Sequence, residues 1–248
     1  MTVPSTVLAT SEVSKHYDSL VALDRVSVEV AKGECHALIG ESGSGKTTLL
    51  RCFNRLTSPD NGTVTFEGAD VTGLDPVALR RRIGYVPQDG GLLPHWQVGR
   101  NVELVPWLEG HDDRTDRANR ALELVGLDPT TFGRRWPREL SGGQRQRVAV
   151  ARALAAGPDV ILMDEPFGAL DAITRADLQE SFDTMRRDLR LTCMLVTHDL
   201  HEALALADRV TVLREGRVEQ SASSNELRRA PATEYVRALL HRARIVHP

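Results

Sequence analysis

The stretch GESGSGKTT, Gly40 to Thr48, follows the apolar run CHALI and matches G-x-x-x-x-G-K-[ST]. Glycines there let the backbone curl until successive N–H groups aim at one anion. A helix starting near Lys46 adds the positive end of its dipole. Gly40, Ser42, Gly43, Ser44, Gly45, Lys46, Thr47 and Thr48 are the candidate phosphate contacts, with the Lys46 ammonium on the outer phosphates and the Thr47 hydroxyl on Mg²⁺. VILMDEP, residues 160–166, brings the complementary carboxylates. Asp164 ends an apolar strand and suits the metal, while Glu165, one residue on, suits polarising a water. Adjacent carboxylates on an apolar strand are costly unless a cation is near. His198 ends a second apolar run, CMLVTH, where an imidazole can meet a terminal phosphate. Gln88 in YVPQDGG offers an amide oxygen to Mg²⁺ at a point that would sense movement of the segment after it, and Tyr17 offers a ring to stack on a base.

A second glycine-rich helix start lies far downstream, LSGGQRQRVAVARAL, Leu140 to Leu154. Ser141 is a natural N-cap, and Gly142 and Gly143 allow close backbone approach. Val148, Ala151 and Leu154 or Ala155 make one apolar stripe, with Arg145, Arg147 and Arg152 largely away from it. Ser141, Gly142, Gly143 and Gln144 thus form another anion site at a helix start. It has no lysine and no metal-binding carboxylates of its own, so the sequence reads it as half of a site.

The elements that must position these residues are those of an α/β fold, short apolar strands alternating with amphipathic helices. VSVEV, Val26 to Val30, with the AKGE turn predicts a hairpin, followed by a strand that runs into the phosphate loop. The continuous runs before Glu165 and His198 predict central parallel strands covered on both faces. VTVLREGRVEQ predicts a closing hairpin turning at Glu215-Gly216. From Gln88 to about Gly157 helical patterns dominate, and Trp96, Trp107 and Trp136 all fall there as candidate fillers of a small helical core. The expected division is a core of residues 1–88 and 158–224, a helical subdomain at 89–157 and an arginine-rich helical tail at 225–248.

With 31 basic against 34 acidic residues, the net charge of −3 argues against a nucleic-acid binder. Cys35, Cys52 and Cys193 are scattered and odd in number, which fits a reduced compartment with the cysteines as small core residues. The start MTVPSTVLATSEV has neither a basic region nor a long apolar stretch, so no signal peptide is expected. No run approaches the ~20 apolar residues of a membrane helix. Work at a membrane would go through a partner.

Taken in order, GESGSGKT, Gln88, LSGGQ, VILMDEP, GALD and His198 resemble the nucleotide-binding subunit of ABC transporters across nearly the whole chain. The resemblance implies a P-loop NTPase (RecA-like) core with an antiparallel β portion and an inserted α-helical subdomain. It implies ATP and Mg²⁺, and a homodimer paired head to tail. Lys46 and Thr47 would then take phosphate and metal, Asp164 the metal, Glu165 the general-base role and His198 a γ-phosphate contact. Tyr17 would stack on adenine. Ser141 and Gly143 would clamp a γ-phosphate across the dimer, and Asp171 of GALD would couple the two sites. Transmembrane permease subunits would dock near GGLLPHW, with Trp96 as the preferred contact, and an extracytoplasmic substrate-binding protein would act indirectly. The chain would sit peripherally on the cytoplasmic face of the membrane. RRRIGYVPQDGGLLPHW, NVELVPWL and DEPFGALDAITR are most similar to ATPases of quaternary-amine importers for glycine betaine, choline or carnitine. Importers of sulfonate, nitrate or polyamine, a soluble ABC ATPase and a regulatory nucleotide switch are the alternative readings. Many betaine-type members carry a paired regulatory domain after the core; this sequence stops at Pro248, so the resemblance does not extend to osmotic sensing by such a domain.

Overall fold

The computed structural model describes residues 5–168 and 170–245. In chain order its elements begin with β1 (Thr6–Tyr17), β2 (Leu20–Ala31), β3 (Cys35–Ile39), α1 (Lys46–Phe53), β4 (Asn61–Phe66), β5 (Ala69–Asp70), α2 (Pro76–Arg82) and β6 (Ile83–Val86). Five helices follow: α3 (Val98–Val102), α4 (Leu104–Leu108), α5 (Arg114–Leu124), α6 (Pro129–Phe132) and α7 (Gly142–Leu154). The chain continues through β7 (Val160–Asp164), α8 (Ala172–Asp188), β8 (Thr192–Thr197), α9 (Leu200–Leu206), β9 (Arg209–Arg214) and β10 (Arg217–Ser223). It closes with α10 (Ser224–Arg229) and α11 (Glu234–Arg242). Two compact units result, one from residues up to 80 with those from 192 onward, the other from residues 81–191.

In the first unit, β1 pairs antiparallel with both β2 and β4, giving the order β2-β1-β4-β5. A second layer of strands runs β10-β9-β3-β8, with β3 parallel to both β8 and β9. All residues of β3 and β8 are buried, which is why their sequences are apolar without alternation. The predicted hairpin through AKGE is not formed. β2 pairs with β1 instead, and the turn carries the chain out of the antiparallel sheet into β3. Local spacing shows that a turn exists but not which strand the next segment joins. All three cysteines are buried free thiols.

The Glu215-Gly216 turn does close a hairpin, with Arg214 opposite Arg217. Both turn residues have positive φ, 50° and 77°, the handedness that matches the twist of paired strands. The turn is also fastened at long range. The Gly216 N–H donates to the Ser44 carbonyl at 3.2 Å, its carbonyl accepts from the Asp24 N–H at 2.8 Å, and Arg217 Nε donates to the Asp24 carboxylate at 2.8 Å.

In the second unit β6 and β7 pair in parallel, from Ile83 opposite Val160 to Val86 opposite Met163, and β7 is buried throughout. The helical segment forms around α3, α5 and α7. Burial on α7 extends beyond the predicted stripe to Gln146, Ala149, Val150 and Ala153, because neighbours cover more than one face. Arginines leave that packing by reaching carbonyls, Arg145 to Leu140 at 2.7 Å and Arg147 to Val125 at 3.0 Å. The tryptophans do not simply fill a core, since Trp107 is 51% exposed. Among the described residues no helix is long and apolar enough to cross a membrane.

A Cβ at residue 216 would meet the Ala22 carbonyl at 3.0 Å in a left-handed backbone. Gly216→Ala is therefore expected to cost about 1–3 kcal/mol in urea unfolding. Glu215→Asn, a residue suited to positive φ, should stay within about 0.5 kcal/mol of the parent protein.

Candidate functional site

The phosphate loop is shaped by what presses on it. Gly43 and Gly45 have φ of 81° and 100°, and Gly45 caps the start of α1. A Cβ on Gly40 would collide with the Leu213 carbonyl, and one on Gly45 with the Ala22 carbonyl. Two distant backbone segments thus occupy the space that side chains would need. Ser44 is buried beneath the loop, and its N–H donates to the Glu41 carbonyl at 3.2 Å. Lys46 is only 6% exposed, and its Nζ donates to the Gly40 and Glu41 carbonyls at 2.9 and 2.8 Å. The ammonium is held by the loop's own carbonyls. Ser42 and Gly43 are exposed, Thr47 and Thr48 half-buried. This concave, cationic surface of backbone donors can hold an anion.

Two further candidates lie in the same unit. Tyr17 closes β1 with 45% of its surface exposed, and the Lys15 ammonium sits 5.4 Å from its ring centroid. The ring is open to a stacking partner on a site already attractive to π-systems. His198 follows β8, exposed, just before Asp199, whose side chain caps α9 by accepting from the His201 and Glu202 N–H groups.

The second unit brings Gln88 and Glu165 together. Asp164, 2% exposed, ends β7, and Glu165 leaves the strand at φ 47°, a left-handed conformation costly for a glutamate. Gln88 Nε2 donates to Glu165 Oε2 at 3.1 Å. That contact uses the amide nitrogen, so the oxygen is the atom Gln88 has to offer a cation. Within the second unit the Gln88 amide and the Asp164 carboxylate, like the Thr47 hydroxyl in the first, carry hard oxygen donors of the kind Mg²⁺ takes rather than a soft metal.

The second glycine-rich start has the expected cap. Ser141 Oγ accepts from the Gln144 N–H at 3.2 Å, and Gln144 Oε1 accepts from the Ser141 N–H at 3.0 Å. As the hydroxyl is already an acceptor, its own hydrogen is left to donate to an anion. Gly142 is exposed, whereas Gly143 is buried where a Cβ would strike the Thr174 side chain, so α7 and α8 start in contact. Asp171 caps α8 by accepting from the Thr174 N–H at 3.0 Å, and that backbone bond holds its carboxyl below the usual range. Residue 169, inside GALD, lies outside the described residues.

Several residues escaped the sequence reading. Asn101, fully buried, accepts from the Leu93 N–H at 2.7 Å and donates to the Leu93, Trp96 and Gln97 carbonyls, fixing the loop that presents Trp96. Trp96 meets Trp107 edge to face at 6.4 Å, with Arg100 over its ring at 4.2 Å. These residues, with Glu103, Leu104 and Arg114, line a groove of about 450 Å³. An asparagine three residues after a glutamine-valine pair carries no sequence signal for this role.

Comparison with known proteins completes the description. A family profile described as ABC transporter matches residues 23–168. The glycine betaine/carnitine/choline transport ATP-binding protein OpuCA of Bacillus subtilis is 45% identical over 97% of this chain and 64% of its own length. The osmoprotectant import ATP-binding protein OsmV of Salmonella typhimurium is 47% identical over 90% of this chain and 59% of its own length. The chain thus spans less than two thirds of either relative. Among solved structures, the ATP-binding cassette MJ0796, in a dimeric post-hydrolysis state bound to ADP and Pi, is 32% identical with a TM-score of 0.79, covering 88% of this chain and 98% of that one. Phosphate loop, signature helix start, matching profile and close relatives agree, and the chain belongs to the ABC transporter family.

Proposed function

We propose that the chain is the ATP-binding and ATP-hydrolysing subunit of an importer that takes up a quaternary-amine osmoprotectant such as glycine betaine, carnitine or choline. The observation that carries hydrolysis is Glu165, held at φ 47° with the Gln88 amide on its carboxylate. Backbone strain of this kind clusters at active sites, and here it coincides with a held carboxylate at the end of a buried strand. The cargo reading rests on kinship with OpuCA and OsmV, whose names carry those substrates. Residues 89–157 are proposed as the helical subdomain, 1–88 with 158–224 as the core and 225–248 as a helical tail.

In this reading ATP places its phosphates on residues 40–48, with adenine on Tyr17. Lys46 exchanges the Gly40 and Glu41 carbonyls for phosphate oxygens, a stronger, charge-assisted contact. Glu165 accepts the proton of a water attacking the γ-phosphorus, Gln88 fixes the carboxylate's orientation, and His198 donates to the γ-phosphate. Mg²⁺ would be held by Thr47, Gln88 and Asp164 and would neutralise charge on the outer phosphates. Ser141, Gly142, Gly143 and Gln144 would serve the nucleotide of a second copy, with Asp171 beside them, as the dimeric form of MJ0796 suggests. ATP would then close a homodimer and hydrolysis reopen it, driving permease subunits that receive cargo from an extracytoplasmic binding protein. The chain would be peripheral on the cytoplasmic face of the membrane. No nucleic-acid partner is proposed.

Lys46→Ala should weaken ATP binding about tenfold or more, read by fluorescent-nucleotide titration; unchanged affinity would remove the loop from the site. Glu165→Gln should keep ATP binding, lower turnover by about a hundredfold or more and leave an ATP-dependent dimer in light scattering. Normal turnover in that variant would defeat the general-base assignment. The tryptophan groove is the proposed permease dock, so Trp96→Ala should reduce the ratio of permease-stimulated to basal turnover in reconstituted vesicles. An unaltered ratio places the dock elsewhere.

A further inference from the structure

One cationic side chain in the second unit has no part in the site as read so far. Arg152 lies in the last turn of α7 (Gly142–Leu154), two residues before its end, and is partly buried. Its Nη1 donates to the Gly91 carbonyl at 2.6 Å and its Nη2 to the Gly90 carbonyl at 2.8 Å. Burial pulls its guanidinium below the usual value, and the Asp89 carboxylate opposes that. The receiving turn is shaped for the contact. Gly90 and Gly91 both have positive φ, 73° and 57°. A Cβ on Gly91 would press on Pro87 Cγ at 2.8 Å and lie 3.4 Å from Arg152 Nη2. Asp89 Oδ1 accepts from the Gly91 N–H at 3.1 Å, and the Gly90 N–H donates to the Pro87 carbonyl at 2.9 Å, so the turn that contains Gln88 is closed by its own hydrogen bonds.

Arg152 thus ties the helix that begins at Ser141 to the backbone of the turn 87–91, and the same short turn carries Gln88, whose side chain holds Glu165. A guanidinium is the group for this, because its planar fork spans two adjacent carbonyls in fixed geometry, whereas an ammonium is a single flexible point. We propose that Arg152 is a positioning residue through which the signature helix sets the orientation of Gln88 and so of the Glu165 carboxylate. This role rests on the proposed ATPase reading and adds to it the connection between the two motifs.

The test is a double-mutant cycle on the whole chain, with kcat and KM for ATP measured separately. Arg152→Lys should lower kcat about three- to tenfold, the value of one lost charge-assisted hydrogen bond, with KM unchanged. In a Gln88→Ala background the same substitution should alter kcat by less than about twofold, because the residue it acts through is gone. An equal loss in both backgrounds, a rise in KM at constant kcat, or no effect in the parent would overturn the proposal. Thermal melting accompanies each variant, and Arg152→Gln, a neutral donor, is read the same way if the lysine form does not fold. A parent chain that hydrolyses no ATP would instead overturn the proposed function, a result distinct from additivity in the cycle.

Discussion

The constraint on which the first unit depends is that backbone N–H groups must converge on one point, and convergence leaves no room for side chains. Gly40 and Gly45 are packed against the carbonyls of Leu213 and Ala22, segments far away in sequence. The loop is therefore not a flexible glycine tract. It is a rigid shell clamped between the end of β9 and the start of β2, with the Gly216 N–H on the Ser44 carbonyl as a further tie. Rigidity matters because donors already aimed at an anion need little reorganisation when it arrives. Gly43, by contrast, has open space where a Cβ would go and needs only its positive φ. Two glycines are set by close packing and one by backbone conformation.

The second unit solves a different problem. The proposed base role asks for a carboxylate of fixed orientation, and Glu165 is restrained by its own backbone and by the Gln88 amide. Asp164, its neighbour, is buried where a carboxylate is tolerated only with compensating partners. The helix start at Ser141 is built to the same standard as the phosphate loop, with a reciprocal cap and a glycine packed against Thr174. Yet it offers an anion one hydroxyl and backbone dipoles, and no ammonium. In the proposed dimer that half-cradle serves the nucleotide of a second copy.

Much of this was legible in the sequence. GESGSGKTT, VILMDEP and LSGGQ each state their local structure, because glycine, N-cap and strand chemistry act over a few residues. Ser141 as a cap, the Glu215-Gly216 turn and the fully buried strands before Glu165 and His198 all follow from such short-range rules. What failed or was missing depends on partners that residue type and spacing do not specify. The AKGE turn was visible, but the pairing of β2 with β1 rather than β3 depends on which sheet each strand completes. The stripe on α7 was too narrow, since burial there is decided by neighbours on several sides. Asn101 and Arg152 do their work through backbone carbonyls, which every residue has, so their sequences carry no mark of their partners.

The central claim is that each nucleotide is served by the phosphate loop of one copy and the serine-glycine edge of another. The most direct measurement mixes two inactive chains, Lys46→Ala and Ser141→Arg, and follows ATP turnover. If sites are shared, a mixed pair concentrates both defects in one site and leaves the other intact, so activity returns on mixing. If turnover stays at the level of the separate variants, each chain builds its own site and the account is contradicted.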